Sequence, residues 1–208
     1  MDGVFMRKII KLVFACIWIL AVVSFLDLWQ DKQYLQENLI RLHVVANSDE
    51  AEDQMVKLQV RDAIIEYLRP LTERFDEKEQ AMQYIGENLF DLQEVSNTAL
   101  KNLGISDHAV VTLQKEKFNK REYDTFSLPS GIYDSLRIEI GEGKGKNWWC
   151  VVFPSLCLPA TSAEFYDMAV SSGFDTTLSD TLSHSDRFAF RFFILDCLGK
   201  LENLFAAN

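Results

Sequence analysis

The sequence is poor in the residues that most often hold metal ions or carry nucleophilic chemistry. Its 208 residues include only three histidines and four cysteines. His43, His108 and His184 do not stand at the spacing of helical or Cys-x-x-Cys metal ligands, so solvated or hydrogen-bonded histidines are the simpler interpretation. We therefore expect no metal site and no bound cofactor.

The sequence also lacks any segment that would separate two domains. It has no stretch rich in proline, glycine and serine, and no internal repeat. With 48% hydrophobic residues, a chain of this length can bury one sizeable core. A single domain over residues 39–208 is the simplest prediction.

Positive charge is scarce. The chain has 21 Lys and Arg residues against 31 Asp and Glu residues, which gives a formal net charge of −10. Such an excess of carboxylates repels nucleic-acid phosphates and anionic lipid headgroups. We therefore expect no nucleic-acid partner.

One long apolar run is present near the start of the chain. Residues 12–26 carry no charge, Arg7, Lys8 and Lys11 precede them, and Asp27 follows. Cations before such a run indicate export, with the N-terminal end left in the cytoplasm. A buried core helix is the alternative interpretation.

Two fates of this export segment stay open. An uncharged helix of 15 residues is about 22 Å long, shorter than a hydrocarbon core of ~30 Å unless residues 9–29 all contribute. Bulky residues crowd the cleavage region, and there is no Ala-x-Ala site. We expect residues 1–28 to act as a cleaved signal or a membrane anchor, and residues 29–38 as a polar spacer.

Most of the strand signal lies in residues 121–159. Aliphatic and charged residues alternate over 136–140, which indicates a strand with one buried and one wet face. Residues 148–153 are apolar throughout, as in a strand covered on both faces. Between them, residues 141–146 alternate glycine with charged residues, and such glycines supply the positive φ of a reversing chain. The pattern predicts a β-hairpin.

An earlier strand is predicted over residues 39–46. Its even-numbered positions are apolar and should pack on the core, while Arg41 and His43 project together from the opposite face. A helix should follow over residues 50–68 and end before Pro70.

The remaining elements complete an α+β domain. Helices are predicted over residues 76–104, 163–171 and 186–205, and a strand over residues 110–118. The order β-α-α-β-β-β-α-α is typical of a mostly antiparallel sheet of about four strands with helices packed on one face. The sequence leaves open which later strand pairs with the first.

Cys150 and Cys157 are separated by six residues that include Pro154 and Ser155. A turn there would bring the two sulfurs together in an oxidising exterior, which predicts a disulfide, with two buried free thiols as the alternative. Cys150 paired with His43 would suit an acyl-transfer enzyme. Burial in an apolar strand disfavours the thiolate, however, so we expect no catalytic residues.

Trp148 and Trp149 directly follow the glycine-rich loop. Adjacent strand residues face opposite ways, so we expect one tryptophan in the core and the other outward beside Lys144 and Lys146. An outward tryptophan near cations has the composition of a protein-binding hot spot, although burial of both rings is equally compatible with the sequence. If the first strand joins the same sheet, Arg41 and His43 would share that exposed face.

Three segments resemble the stage II sporulation protein R family of endospore-forming bacteria. They are LIRLHVVANSDEAEDQMVKLQVRDAI (39–64), REYDTFSLPSG (121–131) and GEGKGKNWWCVVFPSLCLP (141–159). The resemblance covers roughly residues 39–205. It implies a secreted, non-enzymatic signalling protein that acts between the forespore and mother-cell membranes. Its implied partner is a membrane-embedded protease, which it activates and which processes the precursor of the transcription factor sigma-E.

The residues themselves leave two other functions open. One is an exported cell-wall or peptide hydrolase that uses Cys150 or carboxylates, and the other is an anchored structural protein of the cell envelope. For the signalling function, the partner-binding candidates are cationic and aromatic residues of the three segments. They are Arg41, His43, Arg121, Tyr123, Lys144, Lys146, Trp148 and Trp149.

Overall fold

The computed structural model describes residues 3–72, 74–154, 156 and 162–206. Within these ranges the chain forms seven helices and six strands. The helices are α1 (Gly3–Asn38), α2 (Ala51–Thr72), α3 (Lys78–Glu87), α4 (Leu89–Asn102), α5 (Ser162–Ser171), α6 (Thr176–Ser183) and α7 (Ala189–Phe205). The strands are β1 (Ile40–Val45), β2 (Ala109–Phe118), β3 (Arg121–Glu122), β4 (Ser127–Leu128), β5 (Gly131–Ile140) and β6 (Asn147–Phe153).

A four-stranded sheet forms the centre of the fold, in the order β2-β5-β1-β6. β1 runs parallel to β5 and antiparallel to β6, while β2 runs antiparallel to β5. β3 and β4 form a separate two-stranded ribbon. The α+β class is confirmed, and the partners of the first strand are β5 and β6.

β1 lies between the two strands of the predicted hairpin. That hairpin is therefore wrong, because residues 141–146 cross over the end of β1 instead of joining neighbouring strands. Glycines are required in this loop for two reasons: the backbone turns sharply, and it lies very close to the residues that follow β1. Gly141 has a φ of +58°, and a Cβ on Gly145 would lie 2.2 Å from the carbonyl oxygen of Ser48.

Helices cover both faces of this sheet, not one face as predicted. α2, α3 and α4 enclose a first core that includes the even-numbered β1 residues Ile40, Leu42 and Val44, as their alternation predicts. α1, α5, α6 and α7 contribute to a second core on the opposite face. Phe118 and Tyr133 make that face apolar enough to bury helices.

Three helices differ from their predicted bounds, since α7 begins at Ala189 instead of residue 186, and α6 was not predicted. α2 continues to Thr72, so Pro70 lies in its last turn instead of beyond its end. The single helix predicted over residues 76–104 is interrupted at Asn88. The Tyr84 carbonyl oxygen accepts from both the Asn88 side-chain amide at 2.8 Å and the Asn88 backbone N–H at 3.1 Å, so Asn88 caps the end of α3.

α1 continues as one helix through residues 29–38, the expected polar spacer. In the described part of the chain, α1 is the one helix long and apolar enough to cross a membrane. Its side chains over residues 5–26 are exposed, whereas Leu28 and Leu35 are buried in the second core. Asp31 forms an ion pair with Arg191 of α7. The folded domain therefore begins within one helical turn of the apolar run.

α7 approaches the chain before β5 unusually closely. The buried carboxylate of Asp196 accepts hydrogen bonds from the Ser130 N–H at 2.9 Å and the Ser130 hydroxyl at 2.6 Å. A Cβ on Gly199 would lie only 1.6 Å from the Ser130 carbonyl oxygen. The absence of a side chain at Gly199 is what permits α7 to lie this close to the backbone of Ser130.

We expect Gly199→Ala to lower the free energy of unfolding by about 1–3 kcal/mol, because the added methyl group forces the backbones apart. Gly86→Ala is the matched control, since its Cβ would meet only Leu113 Cδ2 at 3.8 Å. That change should raise the free energy of unfolding by up to about 1 kcal/mol through helix propensity. Urea titrations followed by circular dichroism measure both. Equal effects of the two changes would contradict the close contact.

Candidate functional site

Two of the segments singled out in the sequence meet at one end of the sheet. The loop of residues 141–146 packs against residues 46–49, which follow β1. Four backbone N–H groups of the loop donate hydrogen bonds to residues 46–49 at 2.7–3.1 Å. The Glu142 and Lys146 N–H groups donate to the side-chain oxygens Asn47 Oδ1 and Asp49 Oδ1. The N–H groups of Lys144 and Gly145 donate to the carbonyl oxygens of Asn47 and Ala46. We call this region the loop end of the sheet.

Lys57 ties α2 to the loop end. Its ammonium group donates to Gln54 Oε1 at 2.6 Å and to the Lys146 carbonyl oxygen at 3.0 Å, and the residue is only 5% exposed. Burial lowers the pKa of Lys57, although the charge of Asp49 opposes that shift. The side chains of Lys144 and Lys146 remain exposed.

Trp148 and Trp149 face opposite sides of the sheet, as predicted. Both are half-buried, because each face has its own helices, so neither is wholly core or wholly outward. An arginine covers each ring: the guanidinium carbon of Arg61 lies 4.3 Å from the Trp148 centroid, and that of Arg121 lies 5.1 Å from the Trp149 centroid. Such stacking is a cation–π contact.

Arg41 and His43 do not project into solvent. They are 0% and 4% exposed, because the second core covers the face on which they were expected to be free. The Arg41 guanidinium donates to the Tyr123 hydroxyl at 2.9 Å and lies 4.0 Å from the Phe118 centroid and 5.1 Å from the Tyr133 centroid. The predicted exposed patch that joins Arg41 and His43 to a tryptophan is therefore wrong.

His43 belongs instead to a polar network that spans all four strands. Its ring stacks on Trp149 with centroids 3.7 Å apart, its Nδ1 lies 3.1 Å from Glu116 Oε2, and its Nε2 lies 2.9 Å from Asn147 Oδ1. Glu116 also accepts from Arg137 at 2.6 Å. The alternation over residues 136–140 predicts a wet face with Arg137, but the sequence did not point to Glu116.

Glu116 is held ionised by this network. Burial alone would raise the pKa of its carboxyl, but hydrogen bonds from His43 and Arg137 outweigh that effect and lower the pKa to about 2. Arg137 also pairs with Glu139 at 2.5 Å. The network thus holds the Glu116 carboxylate between His43 and Arg137, and His43 in turn positions the ring of Trp149 by stacking on it.

An open groove of about 470 Å³ runs between α2 and β6 on the other face of the sheet. It combines an aromatic ring with charges of both signs. Its lining residues are Arg61, Asp62, Ile65, Glu66, Arg69, Trp148 and Cys150.

The structure gives no support to a Cys–His nucleophile pair. Cys150 is in a disulfide and 6% exposed, whereas Cys16 and Cys197 are free. Its predicted partner, Cys157, lies outside the described residues. Cys150 contributes to the first core and His43 lies on the opposite face, so the sheet separates them. Among the described residues, no group of three His, Cys, Asp or Glu side chains is arranged to hold a metal ion.

Comparison with known proteins identifies the same family that the three sequence segments resemble. The family model described as stage II sporulation protein R matches residues 36–163, which include the whole four-stranded sheet and α2. Stage II sporulation protein R of Bacillus subtilis (strain 168) is 31% identical over 123 residues, which are 59% of this chain and 55% of that protein. The match thus spans about half the length of this relative. No solved structure matches the chain.

The predicted Cys150–Cys157 disulfide gives a direct test. Peptide mapping under non-reducing conditions should recover the two cysteines in one linked peptide. Cys150→Ser should lower the free energy of unfolding by roughly 2.5 kcal/mol, the loop-closure value for so short a loop. Cys197→Ser, at a free cysteine, is the control and should change it little. A free thiol at Cys157 in the exported protein would contradict the pairing.

Glu116 should make stability depend on acid pH. Its carboxyl stays ionised in the folded protein down to about pH 2, whereas the unfolded chain protonates near pH 4.5, so its contribution is present above pH 4.5 and is lost as pH falls towards 2. Glu116→Gln should cost at most about 3 kcal/mol at pH 6 and much less at pH 2.5. Glu122→Gln, at an exposed carboxylate, is the control. An equal cost of Glu116→Gln at both pH values, in urea titrations, would exclude the charged network.

Proposed function

Because the chain belongs to the stage II sporulation protein R family, we propose that it is an exported, non-enzymatic signalling protein that activates a membrane-embedded protease. That protease then processes the precursor of sigma-E. The family match carries the proposal, since it covers the complete sheet and both segments that build the loop end.

α1 supplies the means of delivery. Its apolar, exposed half follows three cations, the arrangement of a signal or anchor that leaves the rest of the chain outside the cytoplasmic membrane. We propose that, in a sporulating cell, the exported domain acts between the forespore and mother-cell membranes. The extracytoplasmic part of a membrane protease is then within its reach, whether residues 1–28 are cleaved as a signal or residues 9–29 remain as a membrane anchor.

We place the contact with the protease at the loop end and the adjoining groove. The groove presents Trp148 under Arg61, and tryptophan and arginine are the residues most enriched in binding hot spots. Lys144 and Lys146 add exposed cations to an otherwise acidic molecule. A segment of the partner with apolar and acidic side chains fits this surface. Arg41 and His43, being buried, act by positioning Tyr123 and Trp149.

The proposal is tested by reconstitution in a bacterial host that lacks the sporulation programme. The protease and the sigma-E precursor are produced with and without this chain, and the processed fraction is measured by immunoblot. Processing should require the chain. Processing that proceeds equally without it would overturn the proposed function.

The same assay tests the contact surface. The double change Lys144→Glu and Lys146→Glu, and separately Arg61→Ala, should each lower processing at least tenfold through lost complementarity. Lys101→Glu, an exposed lysine of α4, is the matched control and should leave processing unchanged. Export and the thermal midpoint should match the parent chain within a few degrees. If the lysine double variant and Arg61→Ala both gave full processing, the protease would have to bind another surface of the domain. The proposed activating role would then still stand.

A further inference from the structure

Arg41 carries a positive charge that no acidic group of the described residues neutralises. The residue is 0% exposed, and a guanidinium group keeps its proton in proteins, so the charge is present in the folded domain. None of the ion pairs among the described residues includes Arg41. Its Nη2 donates to the Tyr123 hydroxyl, whereas its Nε and Nη1 are buried and have no hydrogen-bond partner in the described part of the chain.

The burial of this charge lowers the stability of the fold. Removing a guanidinium group from water costs free energy unless an anion and hydrogen bonds replace its hydration, and each buried donor without an acceptor adds to the cost. Cation–π contacts with Phe118 and Tyr133 offset part of that cost, but they leave Nε and Nη1 without acceptors. Because buried donors without acceptors are rare in folded proteins, these two nitrogens point to a group that binds there.

The buried and half-buried carboxylates on the same side of the sheet have other partners. They are Glu116, with His43 and Arg137; Asp196, with Lys200; and Glu202, with Lys32. None of these carboxylates is available for Arg41, so a counter-ion has to come from another molecule.

Tyr123 is the part-exposed neighbour of the Arg41 guanidinium group. Phe118 and Tyr133 are each 1% exposed, whereas Tyr123 is only half-buried, in the loop that joins β3 to β4. The β3–β4 ribbon has only two residue pairs, and so short a paired element opens locally at low free energy. Movement of the Tyr123 side chain therefore uncovers Arg41 and also frees its Nη2.

We propose that Arg41 is the receptor for a carboxylate, carried by an Asp or Glu side chain of the protease, which displaces the Tyr123 hydroxyl from the guanidinium group. A carboxylate is planar, accepts two parallel N–H bonds from a guanidinium group and carries the single negative charge that neutralises it. A phosphate dianion would leave a net negative charge buried.

This role rests on the proposed function, because it names the chemistry by which the activated protease is bound. The Arg41 site lies on the face of the sheet opposite the groove that contains Trp148, so it adds a second point of attachment. In the free chain Arg41 holds Tyr123 in place, and in the complex the carboxylate takes over the guanidinium group.

Processing in the reconstituted host separates carboxylate binding from a purely structural role. Arg41→Met keeps an apolar stem and removes the buried charge, so the thermal midpoint should be no lower than that of the parent chain. Processing by the same variant should fall at least tenfold, because the carboxylate of the partner then has no counter-ion. Full processing by a folded Arg41→Met chain would overturn the proposal.

Tyr123→Phe is the matched variant, since it removes only the hydroxyl group that competes for Arg41. Half-maximal processing should then need a severalfold smaller amount of the chain, because less free energy is spent on uncovering the site. If Arg41 served only to hold Tyr123, Arg41→Met and Tyr123→Phe would both lower processing. That result would contradict a carboxylate site.

Binding of acetate tests the site without the protease. The ¹⁵N-labelled full chain in detergent is titrated with sodium acetate, with sodium chloride holding the ionic strength constant, and the Nε–H resonance of Arg41 is followed by NMR. It should shift downfield, with a higher apparent affinity in Tyr123→Phe than in the parent chain, while the Nε–H of the exposed Arg121 should change little. This measurement needs no change at Arg41, so it decides the question even if Arg41→Met does not fold.

The acetate titration also separates a failure of the Arg41 site from a failure of the proposed function. No shift in either chain would show that water, not a carboxylate, satisfies Nε and Nη1, and a shift with inorganic phosphate alone would show a different anion site; either overturns the proposal. An acetate shift together with processing that does not require the parent chain would overturn the activating role while leaving the carboxylate site in place.

Discussion

The pairing of β1 with β5 on one side and β6 on the other is the constraint on which the rest of the structure depends. Both backbone edges of β1 are used and all six of its residues are buried. The pairings join residues about a hundred positions apart, so the chain must close long loops before the sheet exists. Once β1 is inserted, residues 141–146 have to pass over its end. This path brings Gly145 against the backbone of Ser48, where a larger residue would not fit.

A central strand with Arg41 at a buried position needs compensation for the charge. Removing a guanidinium from water is costly unless hydrogen bonds and favourable electrostatics replace hydration. Here the faces of Phe118 and Tyr133 and the hydroxyl of Tyr123 surround it. The Arg41–Tyr123 bond also links the segments 39–64 and 121–131, which are far apart in sequence. Two of the regions that carry the family resemblance are therefore joined through one buried side chain.

Local patterns predicted local structure well. The even-numbered face of β1 and the opposite orientation of Trp148 and Trp149 follow from the two-residue period of a strand, which no tertiary contact alters. The strand that separates β5 from β6 comes from far upstream, and the glycine-rich loop has the composition of a tight turn, so no local signal distinguishes insertion from a hairpin. The burial of Arg41 and His43 likewise depends on side chains from distant parts of the chain, chiefly Phe118, Tyr123 and Trp149.

The continuity of α1 limits how the domain can move. A helix that runs unbroken from the apolar run into the second core contains no hinge, and Leu28 and Leu35 fix its contact with the domain. If α1 stays in the membrane, the domain turns about the helix axis as a rigid unit, and the groove beside β6 sweeps a circle at constant height above the lipid. The search for a partner in the same membrane is then reduced to two dimensions of translation and one angle.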